Sequence, residues 1–280
     1  MTQDLLAKLQ QTELDILIDI HHFCESHAIN YSLYGGTLIG AVRHHGFIPW
    51  DDDIDIVMTR SEYTKFHNAW SQEPLDGYYL ESFESDQYTQ NTHTKIRKEG
   101  TILLSDIEDE SIGHHGVWID VFIMDKISFD KKKGKKVLDI GRSMILMAKA
   151  NGTLPGERLI KKIARFLLKI VYPSNRRQKK MLIMLDLLKK NELDVTDDYE
   201  LCDMCTLEYL GIRFPQETGM DYSTLEFEGY FFKVFSNYDH LLRIMYGDYM
   251  ELPPVNEQVC KHTPKRIVLS HHQNACKVKE

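Results

Sequence analysis

The first thirty residues repeat apolar positions with the period of an α-helix. Leucine and isoleucine recur at three- and four-residue intervals from Leu6 to Ile20, with polar residues between them. This spacing predicts an amphipathic helix that packs on a core. Asn30 is expected to break the helix before a short strand at 31–34, and residues 37–45 predict a second, shorter helix.

Runs of apolar residues farther along the chain predict strands. They lie at 54–58, 77–83, 93–100 and 117–124. The first run alternates around Asp55, whereas the last is apolar on both sides of Asp120, as in a strand at the centre of a sheet. Residues 60–70 have helical spacing, with Thr59 or Ser61 as the N-cap. Together these elements predict a mixed sheet with helices against one face, as far as about residue 125.

The pattern changes after this predicted sheet. Helical spacing dominates to about residue 190. Residues 224–235 then predict a hairpin that turns at 228–229, and a helix capped by Asn237 is expected to follow. Prolines at 253–254 are expected to end the ordered pattern.

These elements predict an α+β fold with a mixed β-sheet core flanked by helices and a mainly helical insertion in the middle of the chain. The expected organisation has three parts. Residues 1–128 form the core, and residues 129–210 form a helical, partly basic segment. Residues 211–280 form a hairpin and a helix that pack back on the core.

The helical segment contains an amphipathic stretch at 156–172. Ile163 belongs to an apolar stripe, and Lys162, Arg165 and Lys169 belong to a basic one. Two interpretations remain open. One is a helix with a solvated basic face, and the other is a helix that lies on an anionic membrane surface.

Composition narrows the classes of function. The 280 residues include 42 acidic and 34 basic side chains, with a net charge of -8, which argues against a dedicated nucleic-acid-binding protein. No apolar run reaches the length of a membrane-spanning helix, and the acidic N-terminus does not fit a signal peptide. We expect a cytoplasmic protein, either free or peripheral on the inner face of the membrane.

Four aspartates occur within five positions, at 51–53 and 55. On a strand, side chains two residues apart point to one face, so Asp53 and Asp55 would bring two carboxylates together. Their repulsion and lost hydration cost several kcal/mol unless a cation lies between them. Magnesium fits, because it takes oxygen ligands, commonly one or two carboxylates and substrate phosphates. For Asp51 and Asp52, a solvated acidic turn is an equal alternative.

Asp120 is the third candidate carboxylate. It interrupts an apolar strand, where an unpaired charge is costly. Carboxylates on adjacent strands can hold one or two metal ions and activate a hydroxyl group. The alternative is a structural ion pair between Asp120 and an arginine or lysine.

A glycine turn precedes the second predicted helix. Gly35, Gly36 and Thr37 would expose backbone N–H groups to a phosphate, and the helix N-terminus would add its dipole. Arg43 lies farther along the same helix, where it would reach a phosphate or remain solvated at the surface. A glycine pair alone is weak evidence, but the Asp-x-Asp strand that follows strengthens it.

Other charged and aromatic side chains flank these motifs. Lys95 and Arg97 share one face of a predicted strand, where they would neutralise a leaving group or form an exposed polar face. His44 and His115 each flank an acidic motif and are candidates for substrate contact.

Three stretches resemble one known family. They are YGGTLIGAVRHHGFIPWDDDIDIVM at 34–58, GVWIDVFIMD at 116–125 and YDHLLRIMYGDYMELPP at 238–254. They resemble the LicD family, which includes the fukutin-type proteins and belongs to the nucleotidyltransferase (polymerase-β-like) superfamily. The resemblance reaches from the first helix to Pro254, with a less recognisable middle. It implies a nucleotidyltransferase-like catalytic core in residues 1–128.

The resemblance also implies an activity. Family members transfer phosphocholine from CDP-choline to a sugar hydroxyl of a cell-surface glycan, such as a teichoic acid or lipopolysaccharide, and release CMP. By position, Asp53 and Asp55 would bind Mg²⁺, or alternatively Mn²⁺, and Asp120 would be the third carboxylate. Gly35 and Gly36 would cradle the donor phosphates. The helical middle would choose the acceptor, for which a lipid-linked teichoic acid precursor is one candidate.

Choline itself adds an expectation. Its quaternary ammonium favours aromatic cages, and aromatic residues lie near the motifs at Trp50, Tyr78, Tyr79 and Trp118. The sequence does not select a cage among them.

Other functions stay open. In one alternative, the CDP donor carries ribitol phosphate or glycerol phosphate instead of phosphocholine. In another, the Asp-x-Asp pair belongs to a glycosyltransferase that releases UDP or GDP. A non-enzymatic scaffold that binds a glycan or a partner protein is disfavoured by the three aspartates.

Overall fold

A computed structural model describes residues 1–105, 113–151, 159–196, 198–260, 264–269 and 276–277. Within these ranges there are seven α-helices: α1 Gln3–Ser26, α2 Gly35–His44, α3 Arg60–Gln72, α4 Lys131–Lys149, α5 Leu159–Val171, α6 Ser174–Asp194 and α7 Tyr238–Tyr246. The strands are β1 Ser32–Leu33, β2 Asp55–Thr59, β3 Tyr78–Glu81, β4 Thr94–Lys98, β5 Ile102–Ser105, β6 Trp118–Ser128, β7 Tyr199–Asp203, β8 Phe214–Pro215, β9 Tyr222–Phe227, β10 Tyr230–Phe235, β11 Pro264–Val268 and β12 Cys276–Lys277. The predicted α+β class is confirmed.

The main sheet is mixed, with the strand order β1-β2-β6-β4-β3. Strands β2 and β6 are parallel, and β6 is antiparallel to β4 and β7. Strand β6 has 11 residues, and its two halves pair with β4 and β7 in turn. Met124 is paired with Thr59 of β2 and with Asp203 of β7, so β7 lies on the same edge of β6 as β4. The long apolar run is therefore the central strand, as its sequence predicts.

Helices cover one face of this sheet. The hydroxyls of Thr94 on β4 and Tyr63 on α3 are hydrogen-bonded, and Asp125 on β6 pairs with Arg60 at the start of α3. Ile127, on the same side of β6 as Asp125, packs with α4 and α6. Helix α1 packs beside α3 through aromatic rings. Because side chains alternate along a strand, the residues between these positions point to the opposite face.

The strongly periodic elements match their predictions. The apolar stripe of α1 is buried, and Thr59 accepts a hydrogen bond from the Glu62 amide as the N-cap of α3. The hairpin β9–β10 turns at Glu228 and Gly229, both with positive φ. Helix α1 ends at Ser26 rather than at Asn30, because the backbone of Ala28 turns to a positive φ of 52°.

Two predictions about the later chain are wrong. The ordered pattern does not end at the two prolines, because β11 pairs antiparallel with β5 and carries buried Ile267. Strands β7 and β8 lie where the sequence pattern predicts helix or loop. Both are short, and they become strands by pairing with β6 and with each other, which local spacing does not reveal.

Two hydrophobic cores organise the described residues. The main core combines α1, α3 and the sheet with residues of β9, β10 and α7. The second core joins α4 and α6 to the far half of β6. The predicted boundaries at 128 and 210 remain predictions. Among the helices that the structure describes, none is both long and apolar enough to cross a membrane.

Candidate active site

A row of charged side chains crosses the face of the sheet opposite α3, α4 and α6. Asp55 on β2 is paired in register with Asp120 on β6. Asp120 is paired with Lys95 on β4, and Lys95 with Glu81 on β3. Directly paired residues project to the same face. We call these four residues the charged row, and it brings three predicted site residues together.

Asp120 is surrounded by hydrogen-bond donors. The Lys95 ammonium lies 2.7 Å and 3.1 Å from its two carboxylate oxygens, and His93 Nε2 lies 3.2 Å from Oδ1. The Trp118 indole N–H donates to Oδ2 at 3.1 Å. Burial alone would raise the pKa of Asp120, but Lys95 and His93 outweigh it and hold this pKa well below its usual range. Asp120 is therefore ionised, and it forms the ion pair that was the alternative prediction.

Asp55 has the opposite electrostatic environment. Burial, Asp53 and Asp120 raise its pKa well above the usual value, and Lys95 offsets only part of this effect. Asp53 acts from just before β2 rather than from the strand, so the prediction that both lie on one strand is wrong. The reason is the register: the Ile54 carbonyl accepts from the Asp120 amide at 2.9 Å, and pairing with β6 begins there. The two carboxylates are nonetheless close enough to repel each other.

Gly35 and Gly36 are the first residues of α2 rather than a turn before it. We keep the name glycine turn for this helix N-terminus, which lies against these carboxylates. Gly35 has φ of +52°, and a Cβ there would lie 2.8 Å from Asp55 Oδ2. A Cβ on Gly36 would lie 2.6 Å from Asp51 Oδ2. The Thr37 hydroxyl accepts a hydrogen bond from the Asp55 amide at 2.8 Å. The N-terminus of α2 is thus fixed to the start of β2, at a spacing that a side chain on either glycine would disturb.

Glu13 on α1 is a carboxylate that the sequence analysis missed. It is buried, and burial, Asp53 and Asp52 raise its pKa well above the usual value. Its Oε2 is buried with no hydrogen-bond partner among the described residues. One signal was present in the sequence. Glu13 stands four residues from Leu9 and from Leu17, on the apolar stripe of the helix.

Three tyrosines, Tyr34, Tyr209 and Tyr246, lie near Asp55 and the N-terminus of α2. The Tyr246 hydroxyl lies 3.1 Å from that of Tyr209 and 3.7 Å from the position of a Cβ on Gly35. The negative charge of Asp55 adds to burial in raising the pKa of both tyrosines. The ring of Tyr209 meets that of Tyr34 edge-on, with 6.3 Å between centroids. An aromatic wall therefore adjoins the glycine turn.

Another buried carboxylate, that of Asp203, lies beyond this wall. Asp203 accepts hydrogen bonds from the Tyr34 hydroxyl at 3.2 Å and from the Cys205 amide at 2.7 Å. Burial raises the pKa of Asp203 to about 7. The sequence analysis did not single it out, because β7 was not predicted.

Arg97 is engaged within the protein. Its guanidinium donates to Glu81 and to the Gly116 carbonyl, and it lies 4.8 Å from the centre of the Trp118 ring. Lys95 and Arg97 are both buried, so the alternative of an exposed polar face is wrong. Side chains of the two neighbouring strands, Glu81 on β3 and Trp118 and Asp120 on β6, contact them. The sequence pattern of a single strand does not reveal these contacts. A role of Arg97 toward a leaving group remains a prediction.

Arg43, His44 and Trp50 form a separate group. Arg43 donates to the Tyr249 carbonyl at 2.9 Å and to His44 Nε2 at 3.0 Å. Burial and the charge of Arg43 lower the pKa of His44, and the His44 ring meets Trp50 edge-on. Arg43 therefore ties α2 to the segment after α7. Contact of these three residues with substrate remains a prediction.

His115 lies apart from the charged row in its described contacts. Its carbonyl accepts from the Leu103 amide at 2.7 Å. Both ring nitrogens are buried without a hydrogen-bond partner within the described part of the chain. Its contact with substrate also remains a prediction.

The residues present fit a hard divalent cation near Asp53 and Asp55. Burial and then Asp53 and Asp120 raise the pKa of Asp55, so carboxylate groups are concentrated here, and carboxylate oxygens are the ligands that magnesium prefers. Among the described residues, no group of three or more His, Cys, Asp or Glu side chains is arranged as a finished metal site. An ion held by one or two of these carboxylates would complete its shell with water and substrate phosphates.

The fold and the site together are typical of a nucleotidyltransferase-like transferase. A family model described as "LicD/FKTN/FKRP, nucleotidyltransferase domain" matches residues 28–136, a range that contains the whole charged row. The chain is also 33% identical to the lipopolysaccharide cholinephosphotransferase LicD of Haemophilus influenzae, over 94% of this chain and 98% of that protein. The chain belongs to the LicD family.

Shorter similarities point to proteins without an assigned activity. An uncharacterised protein of Rickettsia typhi is 37% identical over 65 residues, 23% of this chain and 21% of its own length. One of Rickettsia prowazekii is 49% identical over 41 residues, 15% of each chain.

Proposed function

We propose that this protein transfers phosphocholine from CDP-choline to a sugar hydroxyl of a cell-surface glycan and releases CMP. The observation that carries the proposal is the register of Asp55 and Asp120 on neighbouring parallel strands, directly against the glycine turn of α2. Family membership and the name of the Haemophilus relative support a phosphotransferase that acts with choline phosphate.

We assign the donor phosphates to the space before Gly35 and Gly36. Backbone N–H groups at the N-terminus of α2 would donate hydrogen bonds to phosphate oxygens there. Asp53 and Asp55 would hold Mg²⁺, or Mn²⁺, whose charge would offset that of the donor pyrophosphate. The crowded carboxylates support this assignment, because they need a cation to remain ionised together.

Asp120 and Lys95 act on the other side of the reacting phosphorus in this proposal. The acceptor oxygen attacks the phosphorus that carries choline, and the bond from that phosphorus to CMP breaks. Asp120, kept ionised by Lys95 and His93, takes up the proton that the acceptor hydroxyl loses. The Lys95 ammonium, 2.7 Å from Asp120, belongs to this acceptor side. Charge that develops on the departing CMP, on the opposite side of the phosphorus, would be offset by the cation that Asp53 and Asp55 would hold.

The aromatic wall is the candidate site for the quaternary ammonium. Trp118 already carries Lys95 at 4.2 Å from its ring centre, and Tyr78 donates to Asp19. By contrast, Tyr209 and Tyr246 lie next to the glycine turn, with the charge of Asp55 nearby. Aromatic faces attract a trimethylammonium group through the ring quadrupole.

The acceptor and the kind of alcohol stay open within this proposal. The Haemophilus relative is named for lipopolysaccharide, and a teichoic acid, free or as a lipid-linked precursor, offers similar hydroxyls. Transfer of ribitol or glycerol phosphate from a CDP donor would use the same carboxylates and glycine turn. The location stays a prediction: cytoplasmic, or peripheral on the inner face of the membrane.

Ligand binding tests the proposal directly. Calorimetric titration with CDP-choline, CDP-ribitol and CDP-glycerol, each with and without Mg²⁺, should give the tightest binding for CDP-choline with Mg²⁺. Tighter binding of CDP-ribitol or CDP-glycerol would reassign the alcohol. Binding of UDP-sugars or GDP-sugars with no binding of any CDP-alcohol would favour a glycosyltransferase and refute the proposal.

A further inference from the structure

Helix α5 presents an apolar face to solvent. The exposed apolar side chains of this helix, 49–71% accessible, are Leu159, Ile163, Phe166, Leu167, Ile170 and Val171. At 3.6 residues per turn they fall within one arc of about 140°. None of the described side chains of α5 belongs to either hydrophobic core. One side of the helix is therefore apolar and uncovered by the described part of the protein.

Basic residues occupy the remaining arc. Lys162 and Lys169 are exposed there, next to the apolar side chains in the helical projection. The sequence from Leu159 to Leu185 contains eight lysines and arginines and no aspartate or glutamate, although the whole chain has a net charge of -8. The apolar face therefore lies in a locally cationic part of an anionic protein.

This combination favours one occupant. A wide apolar arc beside a basic one is typical of helices that lie in the plane of a membrane interface. The 13 residues of α5 are too few to span a bilayer, which requires about 20. A second copy of the chain is a poorer partner, because it would bring the same cationic segment against itself. Anionic lipids instead complement the charge of this segment.

We propose that α5 docks the protein on an anionic membrane surface. The apolar arc inserts between the headgroups and the acyl chains, and the lysines lie at the level of the lipid phosphates. The helix is joined to the rest of the protein at its end, where Arg177 of α6 donates to the Tyr172 carbonyl at 2.6 Å and to the Asn151 side chain. The docked helix would thus hold the whole protein at the membrane.

The proposal does not depend on the proposed transferase activity. Docking requires only α5 and an anionic lipid surface, and no substrate is needed to measure it. If both proposals are correct, docking would bring the charged row to a lipid-linked acceptor.

Vesicle sedimentation of the full chain tests the docking. We expect the protein to sediment with vesicles of phosphatidylglycerol and phosphatidylcholine, to bind pure phosphatidylcholine far more weakly, and to dissociate at high salt. The triple variant I163Q/F166Q/I170Q should lower the partition coefficient on the order of 10-fold or more. The double variant K162E/K169E should lower it by a similar factor.

Matched controls separate α5 from general stickiness. The triple variant L193Q/F231Q/V255Q removes apolar side chains that are 64–83% exposed elsewhere on the protein, and it should leave partitioning unchanged. All of these positions are at the surface, so circular dichroism should be the same for every variant.

Three outcomes would overturn the proposal. One is wild-type protein that remains in the supernatant with anionic vesicles. Another is an equal loss of binding in the control triple variant. The third is a dimer in solution, measured by light scattering, that only the α5 triple variant dissociates, because the apolar face would then be covered by a second copy.

Discussion

At the scale of single residues, the two central aspartates differ in how their charge is compensated. Asp120 has a lysine, a histidine and an indole N–H within hydrogen-bonding distance, and its pKa is held low. Asp55 faces other carboxylates, and its pKa is raised. The first arrangement is complete within the protein, whereas the second places Asp55 beside other carboxylates. Asp55 is therefore the more informative target for tests of metal binding.

Removing the lysine should expose the cost of the buried Asp120 charge. Lys95→Met leaves a buried carboxylate without its closest cation, and we expect a loss of about 3 kcal/mol in the free energy of unfolding. Urea denaturation without added metal measures this loss.

The same strand offers a matched control. Lys98→Met removes a partly exposed pair with Asp15, 3.6 Å apart, and such pairs contribute only about 0–1 kcal/mol. Equal losses in Lys95→Met and Lys98→Met would contradict the structural role of the buried ion pair.

The sequence predicted the principal carboxylates of the site but not all of their neighbours. Asp55 and Asp120 stand out because each interrupts an apolar run. His93 does not, since it precedes β4 and is brought to Asp120 only by the pairing of β4 with β6. Glu13 lies near the aspartates because the acidic loop packs against α1, where Gln10 donates to the Asp51 carbonyl at 2.8 Å. Contacts between residues distant in sequence depend on register and packing, which spacing within one element does not determine.

At the scale of elements, the junction between α2 and β2 carries a strict requirement for glycine. Gly35→Ala adds a Cβ 2.8 Å from Asp55 Oδ2, at a residue with φ of +52°. We expect a loss of stability larger than the roughly 1–2 kcal/mol of a left-handed backbone alone, together with at least a 10-fold loss of CMP release. Denaturation and a turnover assay measure the two effects.

Gly77→Ala separates the backbone effect from the crowding. Gly77 has φ of +80°, with nothing within 4 Å of an added Cβ. This variant should lose stability through the backbone alone and keep full activity. If Gly35→Ala were as active and as stable as Gly77→Ala, the close approach of the turn to Asp55 would have no functional consequence.

Elements with strong local signals were predictable, and elements defined by their partners were not. The amphipathic period of α1, the apolar run of β6 and the turn of the β9–β10 hairpin are each visible within one segment. Strands β7, β8 and β11 are short, and they are specified by pairing with strands elsewhere in the chain. Loss of period after the prolines at 253–254 was therefore mistaken for the end of regular structure.

At the scale of the whole molecule, a buried carboxylate should make stability depend on pH. Burial raises the pKa of Asp203 from its usual 3.8 to about 7, so the folded state holds this proton more tightly than the unfolded chain. The contribution of Asp203 to the free energy of unfolding is complete below pH 4 and is lost as the pH rises to about 7.

Asp203→Asn should remove this part of the pH dependence. The loss of unfolding free energy between pH 5 and pH 8 should be smaller in the variant than in the wild type, by about 1.4 kcal/mol for each unit of pKa difference within that range. Urea denaturation at both pH values provides the measurement, with the exposed Asp186→Asn as the control. Identical pH dependence in Asp203→Asn and the wild type would contradict the assignment.

Sequence motifs were enough to indicate the protein family, but they did not indicate how the strands and helices are arranged in three dimensions. The stretches around the glycine turn and the aspartates were enough to indicate the family, to which the chain belongs. The local sequence pattern did not indicate that β11 pairs with β5, or that α4 and α6 form a second core. These depend on tertiary contacts, and the donor and acceptor require measurement.

The most direct test of the account is CMP release from CDP-choline by wild type and Asp55→Asn in the presence of Mg²⁺. We predict Mg²⁺-dependent CMP release by the wild type and a loss of at least about 1,000-fold in the variant. The variant should be at least as stable without metal, because one of several crowded carboxylates has been neutralised. The exposed Asp221→Asn should keep full activity. Undiminished CMP release by Asp55→Asn would contradict the central claim that these carboxylates form the active site.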